Sequence, residues 1–136
     1  MDFLLYLSPV GSEIVKVVSA SGNKIQEDAP ICKKYSEVFG YSENKKLIVC
    51  TENIKNTISP VSYYVNETVY HEAVHIAQSC KGGTLGIKNP LLSKEKMNDV
   101  VRSTSYNKAT FKYELEAYYL ETRPEEVLSY VKKYCF

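Results

Sequence analysis

Apolar side chains recur at helical spacing in the middle of the chain, between residues 60 and 81. The apolar positions that share one stripe of a helical wheel are Val65, Val69, Ala73, Ile76 and Cys80. Ser59 followed by Pro60 is typical of a helix start, and the glycines of "CKGG" at 80–83 indicate its end. The pattern predicts a helix of about five turns, with one face toward the core and the opposite face left for another role.

Three more helices are predicted after the loop "GGTLGIKNP". Residues 91–102 have Ser93 near their start, and residues 109–122 form a segment that ends at Arg123-Pro124 because proline cannot continue the helical ladder. Pro124 then opens a final amphipathic helix, which has glutamates in its first turn and lysines in its last.

The first half of the chain leans toward β-structure. Between residues 31 and 51, "YSEVFGY" and "KKLIVCT" flank the polar turn "SENKK", which predicts a hairpin whose best strand is residues 47–50. Residues 12–20 suit a short helix capped by Ser12 and a strand equally well. The whole pattern predicts an α+β fold, with a short antiparallel hairpin or small sheet packed on three or four helices.

Length and charge narrow the possible functions. A chain of 136 residues predicts one domain, residues 1–136. The net charge of +1 gives no field that would attract nucleic acid or an anionic membrane, so we expect neither as a partner, and the oligomeric state stays open. "MDFLLYLSPVG" does not resemble a signal peptide and no apolar run is long enough to span a bilayer, so we expect a soluble cytoplasmic protein. The lysines expected as surface charges are Lys94, Lys96, Lys132 and Lys133.

The four cysteines, Cys32, Cys50, Cys80 and Cys135, are widely spaced and form no CxxC pair. In a reducing compartment we expect buried thiols that act as small apolar side chains. A bridge between Cys32 and Cys50 is the alternative.

Candidate chemistry lies on the predicted central helix, in "YHEAVHIAQ". His71 and His75 are the chain's two histidines, and on a helix their directions differ by about 40°, so both can bind one ion. Glu72 lies about 100° round from His71, where it can reach a water on that ion but not the ion itself. The spacing supplies two metal ligands and one base, the H-E-x-x-H arrangement. The alternative is a pair of histidines satisfied within the core.

A third ligand has to come from a carboxylate, because no histidine remains. In the pattern H-E-x-x-H-x-x-G-x-x-H, a glycine and a third histidine follow the motif. Here the glycine position is Gln78 and the histidine position is Lys81. The source we expect is "YELEAYYLE", residues 113–121, on a later helix. Glu114 and Glu116 point about 200° apart on a helix, so only one of them can face the metal.

With HEAVH and ELEA the sequence resembles the gluzincin metallopeptidases, in particular the small zincin-like ones, and the order of elements is similar over about residues 40–121. The resemblance implies that Glu114 is the ligand, because Ala117 is the small residue that lets two helices approach. It also implies that the hairpin supplies an edge strand for an extended substrate. Tyr106, in the loop "STSYN", would donate to the developing oxyanion.

The sequence departs from this family at Tyr118, where many gluzincins place an acidic residue four positions after the ligand. Glu121 is interpreted as a solvated carboxylate at a helix end, and the alternative is that Glu121 accepts a hydrogen bond from a ligand histidine.

The resemblance therefore implies a zinc-dependent metallopeptidase that hydrolyses a peptide or protein substrate. Zinc would be held by His71, His75 and Glu114, and Glu72 would be the general base. Two other hypotheses stay open: a zinc-bound but catalytically inactive domain that serves as a protein interaction module, and a helical interaction module without metal.

Overall fold

The computed structural model of the chain describes residues 1–104 and 108–136, and in that part the fold is α+β, as predicted. The α-helices are α1 (Pro9–Ala20), α2 (Pro30–Lys34), α3 (Thr51–Thr57), α4 (Val61–Lys81), α5 (Lys94–Ser103), α6 (Phe111–Leu120) and α7 (Pro124–Cys135). The strands are β1 (Lys24–Glu27), β2 (Gly40–Glu43) and β3 (Lys46–Val49). Short 3₁₀ turns at Asp2–Tyr6 and Lys108–Thr110 complete the described elements.

The central helix α4 packs against most of the molecule. It contacts α1, α3, α6 and α7 and the β2–β3 side of the sheet. The stripe predicted to face the core is buried at Val65, Val69, Ala73 and Ile76, whereas Cys80 is exposed. No helix among residues 1–104 and 108–136 is both long and apolar enough to cross a membrane.

The sheet contains the predicted hairpin together with one strand that the pattern did not predict. β2 pairs antiparallel with β3 through a two-residue turn, in which Asn44 and Lys45 both have positive φ, 49° and 60°. Such turns match the right-handed twist of paired strands. β1 pairs parallel with the other side of β3, so the strand order is β1-β3-β2 and β2 is an edge strand.

A glycine brings this edge strand against α4. A Cβ placed on Gly40 would lie 2.4 Å from Cγ2 of Thr68 and 3.1 Å from Cγ of Glu72. Both distances are shorter than ordinary carbon contacts, so only glycine allows this approach. β2 therefore runs alongside the part of α4 that carries the H-E-x-x-H motif.

Helix boundaries agree with the sequence pattern to within a few residues. The open segment 12–20 is helical, and the cap of α1 is Ser8, whose hydroxyl accepts from the Gly11 amide, rather than Ser12. α4 begins one residue later than predicted, with Pro60 at the N-cap, and ends at Gly82, which has a left-handed conformation. Ser93 caps α5 by accepting from the Lys96 amide.

The short helices α2 and α3 were not predicted, because contacts distant in sequence hold them. The Asn53 amide on α3 donates to the carbonyls of Cys32, Tyr35 and Val38 at 2.8, 3.0 and 2.8 Å. This one side chain fixes the segment that leads into β2.

The expectation of free thiols was wrong. Cys32 is bonded to Cys50, the alternative noted for that pair, and Cys80 is bonded to Cys135. The Cα–Cα separations are 5.3 and 5.1 Å, within the usual range for disulfides. Spacing along the sequence did not indicate the second pair, because only the packing of α7 on α4 brings those two residues together.

Candidate metal centre

The motif histidines converge on one carboxylate of α6. Nε2 of His75 lies 2.5 Å from Oε1 of Glu114, and Nε2 of His71 lies 3.4 Å from Oε2 of the same residue. The candidate ligand atoms of these three residues all lie within 4.8 Å of one another. The structure thus brings together the three side chains that the sequence proposed as metal ligands.

The remaining imidazole nitrogens have partners of their own. Nδ1 of His71 is 3.0 Å from Oε1 of Glu121, and Nδ1 of His75 is 2.7 Å from Oε1 of Gln78. Both partner atoms are acceptors, so each Nδ1 carries the hydrogen and each Nε2 faces Glu114. Metal-binding histidines in proteins are held in this way, with the second nitrogen donating to a carboxylate or carbonyl oxygen.

Glu121 is buried, at 5% exposure, so the interpretation as a solvated carboxylate is wrong and the alternative, a hydrogen bond accepted from His71, is the observed arrangement. Its second oxygen lies 3.1 Å from Nζ of Lys96 on α5. Lys96 was expected to be a free surface charge and is instead paired with this buried carboxylate. Together they support His71 from the side opposite the candidate metal position.

Glu116 does not face the histidines. Its carboxylate is 4% exposed and accepts from the amides of Leu85, Gly86 and Ile87 at 2.8, 3.0 and 3.2 Å, and from the side chain of Gln78 at 2.9 Å. These bonds hold the loop after α4 against α6. Of the two glutamates in ELEA, Glu114 is the one that lies at the histidines.

Charges in the cluster stabilise one another. Burial disfavours the charged form of His71, but hydrogen bonds to Glu114 and Glu121 raise its pKa well above the ordinary value, and the pKa of His75 is raised mainly by Glu114. Burial would raise the pKa of Glu114, but the two histidines lower it far below the usual range. Without metal, Glu114 is therefore a carboxylate between two imidazoles that tend to be protonated.

Glu67 lines the same cleft, with Tyr63 and Glu121 as polar neighbours. Burial, followed by the charge of Glu121, raises the pKa of Glu67 to about 7. Glu67 therefore keeps its proton to a higher pH than an ordinary glutamate does.

The cluster lies in an open cleft of about 1460 Å³ between β2 and helices α4, α5 and α6. Glu72 lines this cleft at 8% exposure. The ring of Tyr118 packs edge-on against His71, 4.6 Å between centroids, and burial together with nearby carboxylates raises its pKa, so it keeps its hydroxyl proton. Tyr106, the predicted oxyanion donor, lies outside the described residues.

Sequence reasoning offered Glu121 as an alternative partner of a ligand histidine but missed Gln78, the partner of His75. Gln78 follows His75 by three residues, on the same helical face, and that spacing is the signal that could have identified it. The roles of Glu116 and Lys96 depend on a loop and on a neighbouring helix, so no local pattern indicates them.

Comparison with known proteins gives a family but no activity. A family model described as "Domain of unknown function (DUF8637)" matches residues 3–136, so the chain belongs to that family. Neither the curated proteins nor the solved structures include a match.

Proposed function

We propose that this member of the DUF8637 family is a zinc-dependent metallopeptidase with a zincin-like fold. The observation that carries the proposal is the convergence of the Nε2 atoms of His71 and His75 and the Glu114 carboxylate on one point in an open cleft. Two imidazoles and one carboxylate, with one side left open, form a donor set that suits catalytic zinc. The hairpin, the H-E-x-x-H helix and the helix that carries Glu114 follow one another in this order along the chain. This order supports the proposal of a zincin-like fold.

The chemistry follows from the positions of these groups. Zinc bound there would lower the pKa of a bound water and polarise the carbonyl of a peptide bond. Glu72, one residue from His71 and lining the same cleft, would accept the proton of the attacking water and pass it to the leaving amine. The role of Tyr106 as oxyanion donor stays a prediction from the sequence.

The edge strand supports an extended peptide as substrate. Among the described residues, β2 has a partner strand on one side only, and Gly40, Tyr41 and Ser42 line the cleft. A peptide added beside β2 would form main-chain hydrogen bonds with it and cross the metal position. Main-chain pairing selects for an extended backbone rather than for particular side chains, so we expect unfolded segments to be cleaved.

Metal content is the first test. We expect protein purified without chelator to hold about one equivalent of zinc per chain by elemental analysis. Glu114→Gln should lose most of it, because an amide is a weaker zinc ligand than a carboxylate. A wild-type zinc content below half an equivalent after gentle dialysis would favour the module without metal.

Catalysis is tested separately with Glu72→Gln. We expect this variant to keep its zinc and its fold but to lose hydrolysis of an unfolded protein mixture and a peptide library, measured as new termini by mass spectrometry. Glu125→Gln, at an exposed position on α7, is the matched control and should cleave like the wild type.

An unchanged cleavage rate in Glu72→Gln would show that Glu72 is not the base. A wild-type protein that holds one zinc but cleaves no more than Glu72→Gln would favour the alternative, a zinc-bound inactive domain that acts as an interaction module.

A further inference from the structure

We propose that Gln78 and Glu116 are positioning residues for the metal centre, and that they turn the His75 ring so that Nε2 faces the ion. This inference rests on the proposed metal site. Neither residue touches the shared point between the histidines and Glu114. They act through hydrogen bonds that link His75 to α6 and to the loop after α4.

The orientation of the Gln78 amide follows from its neighbours. Its Nε2 donates to the carbonyl of Tyr113 at 3.0 Å and to Oε1 of Glu116 at 2.9 Å. Both neighbours are acceptors, so the NH₂ group has to face them and Oε1 has to face His75. The amide oxygen of Gln78 then accepts from Nδ1–H of His75 at 2.7 Å. The other ring nitrogen of His75, its Nε2, is left for a metal.

Glu116 is needed as a carboxylate in this arrangement. It accepts one hydrogen bond from Gln78 and three from consecutive backbone amides, Leu85, Gly86 and Ile87. An amide at position 116 would direct one NH₂ group at these donors. Hydrogen-bond donors would then face one another at position 116. This would weaken the contacts to the loop, or would turn the Gln78 amide so that its oxygen faces position 116.

Both side chains are buried, Gln78 at 3% and Glu116 at 4% exposure. Buried polar groups stay ordered when their hydrogen bonds are complete. Hydrogen bonds connect the backbone amides of residues 85–87 to Glu116, Glu116 to Gln78, and Gln78 to His75. The loop after α4 therefore helps to fix the orientation of one metal ligand.

The test uses the full-length chain with zinc, with Gln78→Met as the main variant. Methionine keeps an unbranched side chain of similar length, but its thioether sulfur is only a weak acceptor for His75 and it has no NH₂ group for Glu116. We expect the zinc dissociation constant, measured by competition with a chromophoric chelator, to rise by roughly tenfold to a hundredfold.

NMR supplies a second measurement, independent of activity. In zinc-loaded, ¹⁵N-labelled wild type, we expect the Nδ1–H protons of both histidines to exchange slowly with solvent. Gln78→Met should speed exchange at His75 and leave His71 slow, because the partner of His71 is Glu121. His71 is thus an internal control within the same molecule.

Glu116→Gln tests the next link without removing the Gln78 side chain, and we expect a weaker effect of the same kind at His75. The control is Val127→Ala, which removes buried volume from α7 away from the cleft. It should lower the melting temperature but leave the zinc dissociation constant within about twofold of the wild type, since an effect through global stability alone would appear in it too.

The outcomes separate this inference from the proposed function. A wild type that takes up no zinc would overturn both. A wild type that binds one zinc, with a Gln78→Met variant of equal affinity and slow exchange at His75, would overturn only the positioning role of Gln78 and Glu116.

Discussion

The fold opposes the ionisation of Glu67. Its folded pKa, about 7, lies above the ordinary value of 4.5 because the group is buried and faces the charge of Glu121. The folded chain therefore retains a proton that the unfolded chain releases. Stability falls as pH rises between these two values, and the full cost is present above the folded pKa.

We predict that Glu67→Gln stabilises the protein above pH 7 and has little effect below pH 4.5, since the glutamine cannot ionise. The expected gain is on the order of 1 kcal/mol after allowance for solvent screening. Urea unfolding at several pH values measures it. Glu37→Gln, at an exposed cleft position, is the control for loss of a carboxylate at the surface of the cleft, and a gain in Glu67→Gln that is equal at all pH values would contradict the explanation.

At the residue scale, the sequence identified the groups whose spacing is local. His71, Glu72 and His75 follow from helical periodicity, and only one of Glu114 and Glu116 could face them. Geometry on one helix could not decide between those two glutamates, because the difference lies in what surrounds α6. The loop amides of residues 85–87 engage Glu116, and the histidines contact Glu114.

At the element scale, β2 and α4 are in close contact at the site. Gly40 allows this contact because it has no Cβ. A Cβ at this position would lie 2.4 Å from the Thr68 methyl group. This contact helps to hold the edge strand beside the helix that carries the candidate ligands His71 and His75.

We predict that Gly40→Ala lowers the free energy of unfolding by roughly 1–3 kcal/mol, because it overpacks this contact. Chemical unfolding measures the loss, and Thr68→Ser, which deletes the opposing methyl, should restore part of it. Gly83→Ala is the matched control, because a Cβ there meets open space. Equal losses in the two alanine variants would argue against close packing of β2 on α4.

Periodicity was sufficient for the long elements and insufficient for the short ones. α4, α5, α6 and α7 have enough turns for an apolar stripe or a clear stop signal. β1 has the sequence KIQE, which lacks apolar alternation, and it exists because β3 offers a free edge. α2 and α3 are likewise held by distant contacts, including the three hydrogen bonds of Asn53.

Over the whole molecule, the Cys80–Cys135 disulfide joins the last turns of α4 and α7, which are separated by 55 residues in sequence. α4 and α7 also pack against each other. Closing so long a loop removes many conformations from the unfolded chain.

We predict that Cys80→Ser with Cys135→Ser lowers the free energy of unfolding by roughly 4 kcal/mol. Affinity for zinc at the proposed site should stay the same, since neither cysteine belongs to the candidate ligand set. Urea unfolding and chelator competition measure the two quantities. Alkylation without reductant, followed by mass spectrometry, should leave all four wild-type cysteines unmodified. Modified cysteines, or a loss below about 1 kcal/mol, would contradict this assignment.

The two disulfides bear on where the protein works. Such bonds persist in oxidising compartments and are rare in the cytosol. They favour an oxidising environment, whereas the cytoplasmic location expected from the N-terminal sequence stays a prediction.

The hydrogen-bond partners of the two histidines lie at different distances along the sequence. The partner of His75 is Gln78, three positions later on the same helix. The partner of His71 is Glu121, 50 residues later, at the C-cap of α6. A nascent chain that has completed α4 has both imidazoles of the proposed metal site but not yet Glu114 or Glu121. Under the proposed function, tight metal binding would require α6 to dock, so uptake of the ion would report that the late part of the chain has folded.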